Sequence, residues 1–155
     1  MAFALHILAV GRARAGPERA LFEAYAKRLR WPLRLQEVEV RPARPPARQK
    51  QEETAKLLSL VPEGAGVVAL DQGGKMLASE TFAETLRRFR EGGGPLCFLI
   101  GGAEGLGEKA LGRADSVLSL GSATWPHLLV RGLLIEQLYR AQQILNGHPY
   151  HRGGR

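Results

Sequence analysis

Apolar residues recur along the chain in two alternating rhythms. Short runs that are apolar throughout, or at every second position, occupy 4–10, 33–40, 66–71, 96–101 and 116–120. Stretches with helical character fill 17–30, 49–60, 80–91 and 108–112, and a longer one covers 127–146. Strands separated by helices predict an α/β fold, a mainly parallel sheet of five to six strands with helices on both faces. Residues 33–40 alternate polar and apolar positions where the other runs do not, which predicts an edge strand with one wet face.

Local signals agree with these elements. Pro17 suits a first helical turn, and Ser79 is placed to cap the helix 80–91. Glu80 lies at that helix's positive end and Arg87, Arg88 and Arg90 at its negative end, as the macrodipole favours. Three prolines between positions 41 and 48 predict an extended, mobile, basic loop. In the last helix Leu128, Leu129, Val130, Leu133, Leu134, Ile135, Leu138, Tyr139, Ala141, Ile144 and Leu145 cover more than one face. Packing on a sheet needs a single stripe, so the surplus predicts a second partner, most economically a homodimer.

Composition narrows the class. A chain of 155 residues reads as one domain over 1–155 that can bury a core without cross-links. With 45% hydrophobic and 24% charged residues, a wholly disordered chain is excluded. The single cysteine, Cys97, lies in an apolar run and reads as a reduced, buried thiol, so a disulfide scaffold is excluded too. No apolar run has the length of a membrane span, and the apolar start lacks a basic segment and a cleavage site, which predicts a cytoplasmic protein.

Charge adds a partner. The net charge is +7, and residues 1–60 hold 12 basic against 6 acidic side chains while the remainder is nearly balanced. Arginine supplies 17 of the 22 basic residues, and its fork suits phosphate. A sequence pI of 10.2 points toward nucleic acid, and a solvated basic face accounts for the charge equally well.

In open α/β sheets ligands bind beyond the carboxyl ends of the strands. Three such ends are rich in glycine and small residues: 70–75, 100–107 and 120–125. Side by side they would form a pocket of main-chain donors and acceptors suited to an adenine edge and a ribose. The 101–107 loop matches neither G-x-G-x-x-G nor the phosphate-binding G-x-x-x-x-G-K-[ST] motif, and taken alone it reads more readily as a tight strand-to-helix turn than as a ligand loop. The segment His148-Pro-Tyr-His-Arg152 is the densest in functional groups. Its two histidines gain no cysteine or carboxylate at ligand spacing, so no metal is expected.

Several segments together resemble the ribosomal RNA large subunit methyltransferase H family of the SPOUT superfamily. They are Leu99-Ile-Gly-Gly-Ala-Glu-Gly-Leu106, Leu118-Ser-Leu120, Trp125-Pro-His127, Val130-Arg131, Ile135-Glu-Gln-Leu-Tyr-Arg-Ala141 and His148-Pro-Tyr-His-Arg152, with Leu8-Ala-Val-Gly11 near the start. The resemblance spans essentially the whole chain. It implies an α/β knot whose C-terminal part forms a trefoil, a homodimer, and S-adenosylmethionine bound in the knot. It also implies methylation of N3 of a pseudouridine in 23S rRNA, within the large subunit or assembled ribosome. The cofactor role carries over to Leu70, Gly101, Leu120, Gly121, Ser122, Ala123, Thr124 and Trp125. Gly153-Gly-Arg155 extends past the family's final motif as a basic fringe.

Methyl transfer to nitrogen is an in-line displacement, helped by holding donor and acceptor about 3–3.5 Å apart and by stabilising the deprotonated acceptor. Tyr150, His151 and Arg152 are the candidates for gripping the base, with His127 and Arg131 behind them and His148 as a further contact. Either His151 takes the proton or Arg152 stabilises a ring already deprotonated. Two rival functions are an RNA-binding protein without catalysis and an enzyme using a nicotinamide or nucleoside triphosphate. Cofactor choice separates all three.

Overall fold

The computed structural model describes residues 2–42 and 44–152; the expected basic fringe at 153–155 lies outside them. Five parallel strands form one sheet: β1 (Ala4–Val10), β2 (Leu33–Val38), β3 (Gly66–Met76), β4 (Pro95–Ile100) and β5 (Ser116–Ser119), in the order β2-β1-β4-β3-β5. The helices are α1 (Pro17–Ala26), α2 (Pro46–Ser59), α3 (Ser79–Gly92), α4 (Glu108–Arg113) and α5 (His127–Leu145).

Alternation along the strands sorts the core into two layers. Leu5, Ile7 and Ala9 of β1 and Leu96, Phe98 and Ile100 of β4 face α1, α3 and α5. Leu8 and Val10, with Cys97 and Leu99, face α2 and α4. All six residues of β4 are buried, as a central parallel strand requires. The alternating strand β2 is indeed an edge. Burial keeps Cys97 a thiol, its pKa pushed up to about 11.

The surplus apolar residues of α5 find partners within the chain. Leu134, Ile135 and Leu138 are fully buried, each worth about 1.5–3 kcal/mol, and α5 packs on both α1 and α3 as well as the sheet. Leu128, Leu129 and Leu133 stay only partly buried, so packing within the chain accounts for part of the apolar spread of α5.

Four details differ from the sequence reading. The 41–48 stretch is not loop throughout, because α2 starts at Pro46, whose missing N–H costs nothing at a first helical position. Ala78, not Ser79, precedes α3, and the Ser79 hydroxyl donates to Gln137 Oε1 at 2.7 Å. Helix α1 stops at Ala26 rather than 30, since Pro32 disfavours helix at Trp31 and the Arg30 N–H goes to Gln142 Oε1. Finally, β3 runs to Met76. Leu118 of β5 opposes both Leu70 and Lys75, so residues 71–74 bulge out and the strand then resumes. Gly74 allows this, because a Cβ there would lie 2.7 Å from the Val117 and Leu118 backbone.

Candidate active site

The bulge of β3 and the loops after β4 and β5 enclose a cleft of about 340 Å³ at the carboxyl edge of the sheet. This volume falls in the range of small-molecule sites. Leu70, Gly101, Leu120, Gly121, Ala123, Thr124 and Trp125 line it, which brings together seven of the eight sequence-predicted cofactor positions. Ser122 does not line it; its carbonyl accepts a hydrogen bond from Gln72 Nε2 at 2.7 Å and so ties the β5 loop to the β3 bulge.

Why the wall is glycine is a matter of close approach. A Cβ on Gly101 would lie 2.5 Å from the Gly105 carbonyl carbon, as the loop turns back through a Gly102–Gly105 bridge. One on Gly102 would press on Val10 and on the Glu53 carboxylate. A valine at 101 thus collides with the loop itself rather than filling the cleft. Thr54 accepts the Gly107 N–H at 2.9 Å in a buried bond, anchoring the far end of the loop to α2. Glu53 and Thr54 are buried in the middle of α2, where sequence alone marks them as ordinary helix surface.

The carboxylates lining the cleft are Asp71 and Glu104, and among the described residues no lysine or arginine lines it. Asp71 Oδ2 accepts the Gly73 N–H at 2.9 Å. Such a wall favours a cationic ligand and opposes a polyphosphate.

His127, the first residue of α5, also lines the cleft. Burial and then the Arg131 guanidinium hold its pKa below the ordinary histidine value, with Glu53 acting in the opposite sense. Arg131 lies one turn further, only 2% exposed, and does not line the cleft. It is ion-paired with Glu37 of β2 and donates to the carbonyls of Val10 (3.2 Å) and Gly11 (2.7 Å). Burial works against the Glu37 charge, but the Ala13 N–H and Arg131 outweigh it and keep the carboxyl below its usual range. Arg131 is thus a strut between α5, β1 and β2.

The C-terminal residues gather elsewhere. Tyr150 donates to Glu136 Oε1 at 3.2 Å, sits edge-on to Tyr139 at 4.8 Å, and lies under the Arg140 guanidinium at 5.0 Å. Burial foremost pushes its hydroxyl up to about 12. His151 is held between Arg140 Nη1 (3.0 Å from Nδ1) and Glu80 Oε1 (2.7 Å from Nε2). His148 Nδ1 accepts the Tyr150 N–H, and Arg152 is exposed. None of the four lines the cleft of its own chain. The docking groups Glu80, Glu136 and Arg140 show in the sequence as a helix-end charge and as part of the 135–141 segment, and neither signal points to the tail they hold.

Known proteins place this geometry. A family model described as "Predicted SPOUT methyltransferase" matches residues 3–151. The chain is 56% identical to a protein of Rhodospirillum centenum named ribosomal RNA large subunit methyltransferase H, over 96% of this chain and 98% of that one. A protein of the same name from Gluconacetobacter diazotrophicus is 53% identical over 97% and 99%. Among solved structures, a probable methylase family protein from Haemophilus influenzae Rd KW20 superposes with a TM-score of 0.56 at 13% identity, over 92% of this chain and 66% of that one. The SpoU methyltransferase AviRb from Streptomyces viridochromogenes gives 0.50 at 13% identity, over 94% and 61%. The fold is shared with both structures, and by sequence the chain belongs to the ribosomal RNA large subunit methyltransferase H family of SPOUT methyltransferases.

Proposed function

We propose that this protein transfers a methyl group from S-adenosylmethionine to N3 of a pseudouridine in 23S rRNA, on the large subunit or assembled ribosome in the cytoplasm. The single observation that carries the reading is the glycine-walled cleft at the carboxyl edge of β3, β4 and β5, in a chain of this family.

The cleft fits the donor. Leu70, Ile100, Leu118 and Leu120 offer an aliphatic slot, the glycine loops expose main-chain polar groups, and Asp71 and Glu104 suit a cation. When bound, the donor supplies an electrophilic methyl on a positively charged sulfur. Leu70, Gly101, Leu120, Gly121 and residues 123–125 would hold it, with Ser122 tying their loop to the bulge from outside the cleft, and the close turn at Gly101–Gly105 would fix its place. A phosphorylated nucleotide fits poorly, because among the described residues the wall holds no lysine or arginine to meet its charge.

The remaining roles follow the same reading. The chain is read as a single domain over 1–155 with its C-terminal part threaded as a trefoil, a reading supported by Leu118 opposing both Leu70 and Lys75 and by the Gln72–Ser122 bond across the bulge. A homodimer is supported by three exposed apolar side chains, Met76 (69%), Trp125 (42%) and Leu21 (36%), around one hollow of about 530 Å³ beside Leu133. Tyr150, His151 and His148, docked away from the cleft of their own chain, and the exposed Arg152 act as substrate grips once RNA is bound. The basic N-terminal part meets phosphate, so binding of ribosomal RNA weakens steeply with salt.

The test is incubation with methyl-labelled S-adenosylmethionine and ribosomes lacking the modification, followed by digestion of the rRNA. Label in N3-methylpseudouridine is expected. Absence of label on ribosomes and free subunits would overturn the reading. His151→Ala is expected to lower transfer far more than donor binding; equal loss of both would remove the tail from the substrate site.

A further inference from the structure

A ring N–H of a nucleobase is a poor nucleophile until its proton leaves, and the family fold alone does not say what takes it. The histidine of the C-terminal tail is poorly placed to do so. Arg140 can only donate, so His151 Nδ1 accepts; Glu80 accepts from Nε2–H. Both ring nitrogens are committed, and His151 does not line the cleft of its own chain. His148 uses Nδ1 to accept the Tyr150 N–H. His6 lies within β1, on the central part of the sheet.

His127 differs from all three. It lines the donor cleft, and neither ring nitrogen is held by a hydrogen bond among the described residues. Its seat is built. Gly11 leaves room for the ring, since a Cβ there would lie 3.1 Å from Nε2. Arg131 is locked behind it by Glu37 and two carbonyls.

We propose that His127 is the proton acceptor of the methyl transfer. The N–H bond of the target ring breaks, its electron pair stays on the ring nitrogen and forms the new bond to the methyl carbon, the methyl–sulfur bond of the sulfonium donor breaks with its pair left on a neutral thioether, and the proton bonds to the imidazole to give imidazolium. This rests on the reading of the protein as a methyltransferase acting on a base N–H. The charged groups that face His127 are Arg131 from its own helix and Glu53 from α2, with Asp71 and Glu104 along the same cleft. Burial, Arg131 and the positive end of α5 keep the ring neutral at pH 7 and able to accept. Glu53, behind Gly102, offsets part of the imidazolium charge once it forms.

Single-turnover transfer to unmodified ribosomes, followed from pH 5.5 to 9, tests this on the full chain alongside His127→Asn and His127→Ala. Donor affinity is read by calorimetry and the His127 ring titration by NMR. The wild-type rate is expected to rise through a midpoint that matches the ring titration. His127→Asn is expected to be about 100-fold slower or more at pH 7, to lose that midpoint, and to bind the donor as before. Added imidazole restores part of the rate of His127→Ala. Persistence of the midpoint in His127→Asn, or a loss of donor affinity that accounts for the slower rate, overturns the proposal. No labelled product from the wild type removes the methyltransferase reading and the proposal with it, whereas labelled RNA from an unimpaired His127→Asn removes only the proton acceptor.

Discussion

The two ends of α5 carry the same pair of residue types and use them oppositely. At the N-terminal end His127 stands free in a cleft, and an arginine one turn on is buried against a carboxylate from another element. At the other end, roughly 28 Å away along 19 residues, His151 is fully engaged. Its arginine, Arg140, pairs with Glu136 of its own helix, both partly exposed. An ion pair that spans elements in the core builds a frame around a reactive group and leaves that group unspent. A local pair at the surface becomes a dock, and the histidine is consumed in the docking.

That contrast is broken most directly at the arginines. Arg131→Met leaves Glu37 and the Val10 and Gly11 carbonyls facing a buried apolar chain, and is expected to cost about 3 kcal/mol of folding stability. Arg140→Met removes a pair screened by solvent and is expected to cost under about 1 kcal/mol. Denaturant unfolding of both checks this, and equal costs would mean that the Arg131 frame is no frame. Glycines give a second pairing. Gly101→Ala forces the Gly105 backbone aside and is expected to cost about 2 kcal/mol together with donor affinity. Gly147→Ala, near the far end, meets open space and suffers only its positive φ of 69°, about 1 kcal/mol with donor affinity intact.

Legibility in the sequence follows the same division. Periodicity located every strand and helix, because burial on both sheet faces imposes it, and β1 ends where the pattern says. Small residues at strand ends marked the cleft, since close backbone approach leaves a compositional trace. Long-range polar contacts leave none. Nothing near Glu37, Glu53 or Glu80 in the chain announces Arg131, Gly102 or His151 as a neighbour. The bulge at 71–74 was hidden for a related reason: two glycines read as the end of a strand, and only β5 alongside makes the chain resume. The dense tail motif was easy to see, and the side chains that hold it were not.

A smaller effect is expected at Tyr150. Tyr150→Phe keeps the ring against Tyr139 and loses the hydroxyl's hydrogen bonds with Glu136, itself still paired with Arg140, and with Tyr25. The expected cost is about 0.5–1 kcal/mol in thermal unfolding. A larger loss would make the docked tail part of the core, and the C-terminal end of α5 as much a frame as the N-terminal end.

The finest distinction is at Glu80, exposed on α3 and bonded to His151. That hydrogen bond, first among several causes, holds the carboxyl below its ordinary value. A carboxylate with a depressed folded pKa gives stability that is present above the unfolded value of about 4.3 and is lost as pH falls through the folded one. Docking of the tail should therefore loosen on acidification below about pH 4.3, while the fold persists. His151 and Tyr150 ring signals followed by NMR from neutral pH downward are expected to show a step in that acid range. In Glu80→Gln the step should vanish with the global melting temperature unchanged. Were the wild type to lack the step, His151 would be as free in solution as His127, and the opposition between the two ends of α5 would reduce to one of burial alone.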